Sequence, residues 1–463
     1  MFDVSSEEIT EGSLSRALAI LAAPLVAQQV VVALGAVVDI FWLGRLNEAA
    51  VAAVGLVVPV YALIALPVTA TFKGGQILTS QSVGADQDDR ATRIPFHAAL
   101  AGAGLAFALA ALTLLVAPDI VRLLGAEGDT YTYAVTYLST YIFAYVPFAV
   151  SDGLEGGFVG WGDSGTAFAL NATNIVVNVV LDPFLIFGYG PFPEWGVFGA
   201  AMASIVGATA SATLALAVAV SGRRDFSIPR DAIDLRPSLF REVLTVGGPV
   251  AFQTAGRQAA RLGMVAIISI AGSTAALAAY NVGAQLATIA FVPASGLAGA
   301  ATTVVGQNLG ADRPGRARRA TWLSVGTAVV ALAVLGVLQW VFPSLIAETF
   351  APALGEEAFG LTVEYLQILA LGYWALGAIY TLESGFNGAS RTSVSMYATL
   401  IQYWGVRLPI AAGGVFVFNY GVLAAFWGVT ISNVAAALGL GIYFWYSTDR
   451  GLLERAASAA AAD

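Results

Sequence analysis

The chain has 463 residues, a net charge of −9, 58% hydrophobic residues and 11% charged residues, against about 25% charged in soluble domains. That balance excludes a soluble globular protein. The lack of cysteine excludes disulfides, thiolate metal sites and thiol redox chemistry.

An apolar run of about 20 residues crosses a bilayer as a helix, because lipid offers the backbone no hydrogen-bond partner. Six such runs occur in each half: α1–α6 near 17–43, 49–79, 95–117, 131–158, 166–188 and 197–220, and α7–α12 near 243–271, 275–306, 321–343, 361–386, 393–416 and 421–446. No stretch alternates in polarity as a membrane barrel requires. The expected fold is all-α and integral to the membrane, with twelve transmembrane helices in two six-helix lobes. The expected domains are an N-lobe over 1–221, a connector over 222–241 and a C-lobe over 242–463 with a short polar tail. An even number of passes per lobe sets the two-fold axis along the membrane normal.

Taken in order, the chain starts with an acidic segment, Met1–Gly12, unlike the basic start of a signal peptide. Within α1, Pro24 removes a backbone hydrogen bond and is a candidate hinge, and Asp39 follows about four turns later. After α2 comes Gln81-Ser82-Val83-Gly84-Ala85-Asp86, with Arg90-Ala91 beyond it; after α8 comes Gln307-Asn308-Leu309-Gly310-Ala311-Asp312, with Arg316-Ala317. The repeat marks an internal duplication, which Pro24/Pro249 and Glu155/Glu383 extend. The lone His97 lies beside a loop, where a surface role is expected. On α5, Asn171, Asn174, Asn178 and Asp182 share one helical face. A carboxylate at mid-membrane costs about 2.5–3.5 kcal/mol on insertion scales, so Asp39 and Asp182 are expected to face a cavity and to function. Their oxygens suit a hard cation. At the equivalent places the second half has no acids; it carries Arg257 and Arg261 on α7 and Arg407 on α11.

Most loop arginines, Arg90, Arg93, Arg236, Arg241, Arg313 and Arg316 among them, fall on one side of the membrane and only Arg45 and Arg122 on the other. The positive-inside rule then makes both termini cytoplasmic and the location the cell membrane. The pI near 4.7, with Lys73 the only lysine, fits a halophilic source. No Gly-Lys-Ser/Thr loop, His-Glu-x-x-His or Gly-x-Ser-x-Gly is present, so neither an ATPase nor an enzyme is expected. A secondary transporter driven by an ion gradient remains, with no cofactor beyond its coupling ion and no nucleic-acid partner.

Asp39 to Arg45, the two Gly-Ala-Asp segments, Asn178-x-x-x-Asp182-Pro183 and Gly199 to Ser204 occur in an order that resembles the multidrug and toxic compound extrusion (MATE) family, DinF-like branch. A monomer is expected, and the composition points to a halophilic archaeon as its source. The resemblance implies an antiporter that exports small amphipathic organic compounds across the lipid bilayer as Na⁺ or H⁺ enters. It implies a coupling site of Asp39, Asn174, Asn178, Asp182 and Ser204, where Thr is usual; Asp39, Asn178 and Asp182 would be the Na⁺ ligands. It implies a central cleft, for which Trp42, Asn171, Gln253, Arg257 and Arg261 are the candidate lining residues. Glu383, the counterpart of Glu155, is not counted as a coupling group. The arginines suit an anionic group instead, so the alternative is a flippase for a lipid-linked anionic precursor.

Overall fold

The computed structural model describes residues 4–221 and 234–462, and in these it is helical with no strand. The passes of the first half are α1 Leu14–Leu46, α2 Glu48–Ile64 continued as Leu66–Gly84 after a 44° bend, α3 Asp88–Leu123, α4 Gly128–Trp161, α5 Ser164–Phe187 and α6 Gly196–Ser221. Those of the second half are α7 Pro237–Ala271, α8 Thr274–Gly310, α9 Pro314–Val341, α10 Glu356–Ala370 continued as Tyr373–Gly388 after a 48° bend, α11 Thr392–Val417 and α12 Val422–Asp449. Nine helices are individually long and apolar enough to span, and the bent pairs bring the number to eleven among the described residues. The twelfth, α7, is less apolar because Arg257, Gln258 and Arg261 interrupt it.

The duplicated Gly-Ala-Asp segment is a helix-ending turn. Asp86 and Asp312 adopt left-handed φ of 55° and 53°. Gln87 N–H donates to Ser82 O at 2.9 Å, and Arg313 N–H donates to Asn308 O at 2.7 Å. This six-to-one bond closes a Schellman cap, with aspartate in the position where glycine is usual. The same cap ends α4 at Gly162 and α10 at Ser390, where Asp163 N–H reaches Phe158 O and Arg391 N–H reaches Phe386 O, both at 2.8 Å. Two pairs of equivalent helices therefore stop by the same backbone device.

Two compact units emerge, Met1–Ile9 with Ala23–Ala251, and Thr10–Ala22 with Phe252–Asp463. The expected boundary at 221/242 is corrected by an exchange. The first part of α1 belongs to the second unit, and the first part of α7 belongs to the first. Each crossing falls beside a helix-internal proline, Pro24 or Pro249. The start of α7 is held in the first unit by close backbone approach: a β-carbon on Gly247 would lie 1.8 Å from Ala70 O, and one on Gly74 would lie 2.2 Å from Val243 O. Arg90 forms an ion pair with Glu242. The second unit builds its core around stacked Tyr280, Tyr365 and Phe426, with ring centroids 5.9 and 4.2 Å apart.

Two further expectations change, and α11 adds a feature of its own. His97 is fully buried: its Nε2 accepts from Arg236 N–H at 2.9 Å while Nδ1 bonds Arg93 O at 2.8 Å. The alanine-rich tail is a helix, Leu452–Ala462, that buries Leu453 and Ala457. α11 contains two π-helical stretches, Ile401–Arg407 and Gly413–Val417, whereas its counterpart α5 is α-helical throughout. The predicted connector lies mostly outside the described residues, and its end, from Pro237, already belongs to α7.

Candidate functional site

In the first unit the structure brings together Asp39 of α1, Asn178 and Asp182 of α5 and Ser204 of α6. Asn178, Asp182 and Ser204 are buried, and Asp39 is half-buried. The Asp39 and Asp182 carboxyls lie within hydrogen-bonding reach of one another. The neighbours of Asn178 fix its amide: the nitrogen donates to Asp39 Oδ1 at 2.9 Å, and the oxygen accepts from Ser204 Oγ at 3.1 Å and Ser204 N–H at 3.2 Å. Two ionised carboxylates in contact repel, so this geometry calls for a shared proton or an intervening cation.

Asn174 packs with Asn178 against Gly207 of α6, where its Oδ1 stands 2.7 Å from the position of a β-carbon. A wall of tyrosines surrounds the acids. Tyr61, Tyr137 and Tyr141 are within electrostatic reach of Asp39, and Tyr141 lies 5.1 Å from both other rings. The sequence reading missed them, although Tyr133, Tyr137, Tyr141 and Tyr145 recur every four residues along one face of α4. Trp42 packs edge-on against Phe41 and Phe187 at 5.0 and 6.0 Å, within the apolar cluster of Leu43 and Ile186.

Asn171, on the same stripe of α5, belongs to a separate network. Glu155 of α4 is buried and accepts from Gln28 Nε2 at 2.9 Å and Asn171 Nδ2 at 2.6 Å. Lys73 and Asp152 lie within electrostatic reach, and Lys73 Nζ donates to Gln76 at 3.0 Å. The second unit repeats the design. Glu383 is buried and accepts from Gln253 Nε2 at 2.8 Å and Thr399 Oγ1 at 3.1 Å, with Arg257 in electrostatic reach. Gln253, expected to line a cleft, is only 2% exposed and is held by this bond inside the second unit.

The expected arginines separate into distinct settings. Arg407, 7% exposed, donates from Nε to Ser432 Oγ at 2.9 Å and from Nη2 to Asn433 Oδ1 at 2.6 Å, and lies 3.9 Å over the Tyr403 ring. Arg257 Nη1 donates to Tyr380 Oη at 2.7 Å. Arg261 is exposed and forms no hydrogen bond or ion pair among the described residues.

A duplicated helical bundle with up to eleven apolar spans among the described residues, buried carboxyls in both units and the close Asp39–Asp182 pair only in the first, defines a multi-pass membrane transporter. The MatE family model matches residues 24–184 and again 249–412, the two copies the repeat marks. A Deinococcus radiodurans relative, "Probable multidrug resistance protein NorM", is 27% identical over 452 residues, covering 94% of this chain and 96% of its own length. A Thermotoga maritima relative of the same name is 25% identical over 445 residues, 95% and 94% of the two chains. A crystal structure of MATE in the bent conformation shares the fold at a TM-score of 0.91 over 98% of this chain and 100% of that one, with 19% identity. The chain belongs to the MATE family. Its members are transporters, and this chain is not an enzyme.

Proposed function

We propose that this protein is a secondary antiporter that exports small organic compounds through the cell membrane in exchange for protons taken up at the Asp39–Asp182 pair. The names of the NorM relatives support the multidrug part of this reading. One observation carries the coupling part: the two carboxyls lie within hydrogen-bonding reach of each other while Asn178 presents a nitrogen to Asp39. A proton between two carboxyl oxygens, steadied by an amide donor, satisfies every polar group there. A Na⁺ ion needs oxygens on all sides, and the Asn178 oxygen is turned to Ser204. No group of three or more acidic, histidine or cysteine side chains that could hold a metal ion exists among the described residues. The arrangement fits H⁺ better than Na⁺. In the proposed topology both termini are cytoplasmic, and Pro24 and Pro249 lie where α1 and α7 pass from one unit to the other.

The test is gradient-driven transport of a panel of fluorescent organic compounds in vesicles. Asp39→Asn and Asp182→Asn should each abolish uphill movement while the purified variants keep the wild-type elution profile and melting temperature. Full uphill transport by both variants would sink the reading.

A further inference from the structure

The second unit contains membrane-embedded positive charge that its own carboxylates leave largely unmatched. Arg407 bonds only neutral groups, Ser432 and Asn433, although it is almost fully buried. Arg257 is bonded at Nη1 to Tyr380, but its buried Nε–H has no acceptor. A buried donor without a partner costs about 1–3 kcal/mol, so an orphan on a cation marks a place where an acceptor belongs. Glu383 is the carboxylate in electrostatic reach of Arg257, and it is already occupied by Gln253 and Thr399.

These cations are connected. Arg257 and Arg407 both lie beside Tyr403, and Arg261 and Arg407 both lie within reach of Tyr280 and Tyr365. Arg257 and Arg261 share the face of α7 that continues into Met264 and Ile268, both fully buried, whereas Phe252, Leu262 and Ile270 occupy the opposite face and are highly exposed. Arg261 is therefore exposed on the packed side of its helix, as it would be at the mouth of a recess. The π-helical stretch Ile401–Arg407 ends on Arg407 and carries Tyr403. π-Turns of this kind are associated with functional sites.

We propose that Arg257, Arg261 and Arg407, with Tyr403, form an oxyanion site in the second unit, which takes the phosphate or carboxylate head of an amphipathic compound. Guanidinium groups match such heads with paired N–H donors, and the Tyr403 ring gives its apolar body a surface. The proposal rests on the transporter reading above and adds the charge class of its cargo.

The experiment is equilibrium binding of 1-naphthyl phosphate and of 1-naphthol to the purified full-length protein. The two probes share a body and differ in the head. Wild type should prefer the phosphate by about tenfold or more, as expected for charge-assisted hydrogen bonds in a desolvated site. Arg261→Gln and Arg407→Gln should each reduce that preference toward unity, and Arg122→Gln, an equal charge change in the first unit, should not. Arg261 holds no hydrogen bond, so Arg261→Gln keeps the fold and decides the matter if Arg407→Gln does not purify. Displacement of 1-naphthyl phosphate by phosphatidic acid but not by phosphatidylcholine assigns the site to lipid heads; no displacement by either assigns it to soluble oxyanions. Equal binding of the two naphthyl probes by wild type, or an undiminished preference in Arg261→Gln, overturns the proposal. Binding is read without a gradient, so loss of coupled transport with the preference intact would reject the coupling reading and leave this one standing.

Discussion

Gln253 donates its amide N–H to Glu383 Oε1 at 2.8 Å, across 130 residues of chain. The same Nε2 reaches Thr399 Oγ1 at 2.8 Å, and Thr399 passes a bond on to Glu383 at 3.1 Å, so three side chains from α7, α10 and α11 close a ring. In the first unit Gln28 and Asn171 each donate to Glu155, without a bond between them. The repeat thus preserves a buried glutamate held by neutral donors, while the surrounding charges diverge. Gln253→Leu leaves Glu383 with one donor fewer in an apolar setting, and stability should fall by about 1–3 kcal/mol. Thermal unfolding in detergent measures this; an unchanged midpoint would show that the ring is not needed.

Two adjacent glycines make a sharp packing test. Gly247 presses on the Ala70 carbonyl, whereas nothing lies within 4 Å of a β-carbon placed on Gly248. Gly247→Ala should cost about 1–3 kcal/mol by overpacking. Gly248→Ala should be neutral or slightly stabilising, because alanine favours the helix. Melting temperatures of the two variants should separate clearly, and equal values would contradict the close approach of α7 to α2.

His97 uses both ring nitrogens, one accepting from the Arg236 backbone and one bonded to Arg93 O. That pairing requires the neutral ring with its proton on Nδ1. His97→Phe fills the space but strands the Arg236 N–H, so hydrogen exchange at Arg236 should quicken markedly. Unchanged exchange would mean that the imidazole does not hold the start of α7.

Asp89, at the opening of α3, accepts from Arg93 Nε at 2.9 and 3.0 Å, and Arg236 lies 3.9 Å away. The hydrogen bond from Arg93 holds this carboxyl below its ordinary range against a small desolvation penalty, and the charges of Arg93 and Arg236 assist. A depressed folded pKa gives stabilisation that is complete above the unfolded value of about 3.9 and is lost as pH falls through the lowered one. Exchange protection at Arg236, corrected for intrinsic rates, should therefore hold down to about pH 4 and then decline. Asp89→Asn should remove the acid-dependent step. The carboxylate is 62% exposed, so the effect is small and sensitive to salt.

Much of this was legible in the chain itself. Twelve apolar runs against few charges define the passes, and polar residues inside such runs stand out. Asn178 and Asp182 lie one turn apart, which let the sequence place them together. The bonds of Asn171 and Gln253 were not legible because their partners are tertiary. Glu155 and Glu383 reach them from other helices, and helical spacing cannot report which neighbour a side chain meets. The exchange of Thr10–Ala22 was equally hidden, since composition does not change at Pro24. The tail was misread for a simpler reason. Leu452, Leu453, Ala456, Ala457 and Ala460 recur at helical spacing, but alanine is too weakly apolar to mark a buried face by itself. The π-turns of α11 leave no compositional mark, and they fall where the second copy departs from the first, near Arg407.

The central claim is that protons, taken up at Asp39 and Asp182, drive transport. Purified protein in vesicles, given a pH gradient with Na⁺ equal on both sides and then a Na⁺ gradient with pH equal on both sides, tests it most directly. Uphill transport under the pH gradient alone is the expected result. Uphill transport under the Na⁺ gradient alone would contradict the account.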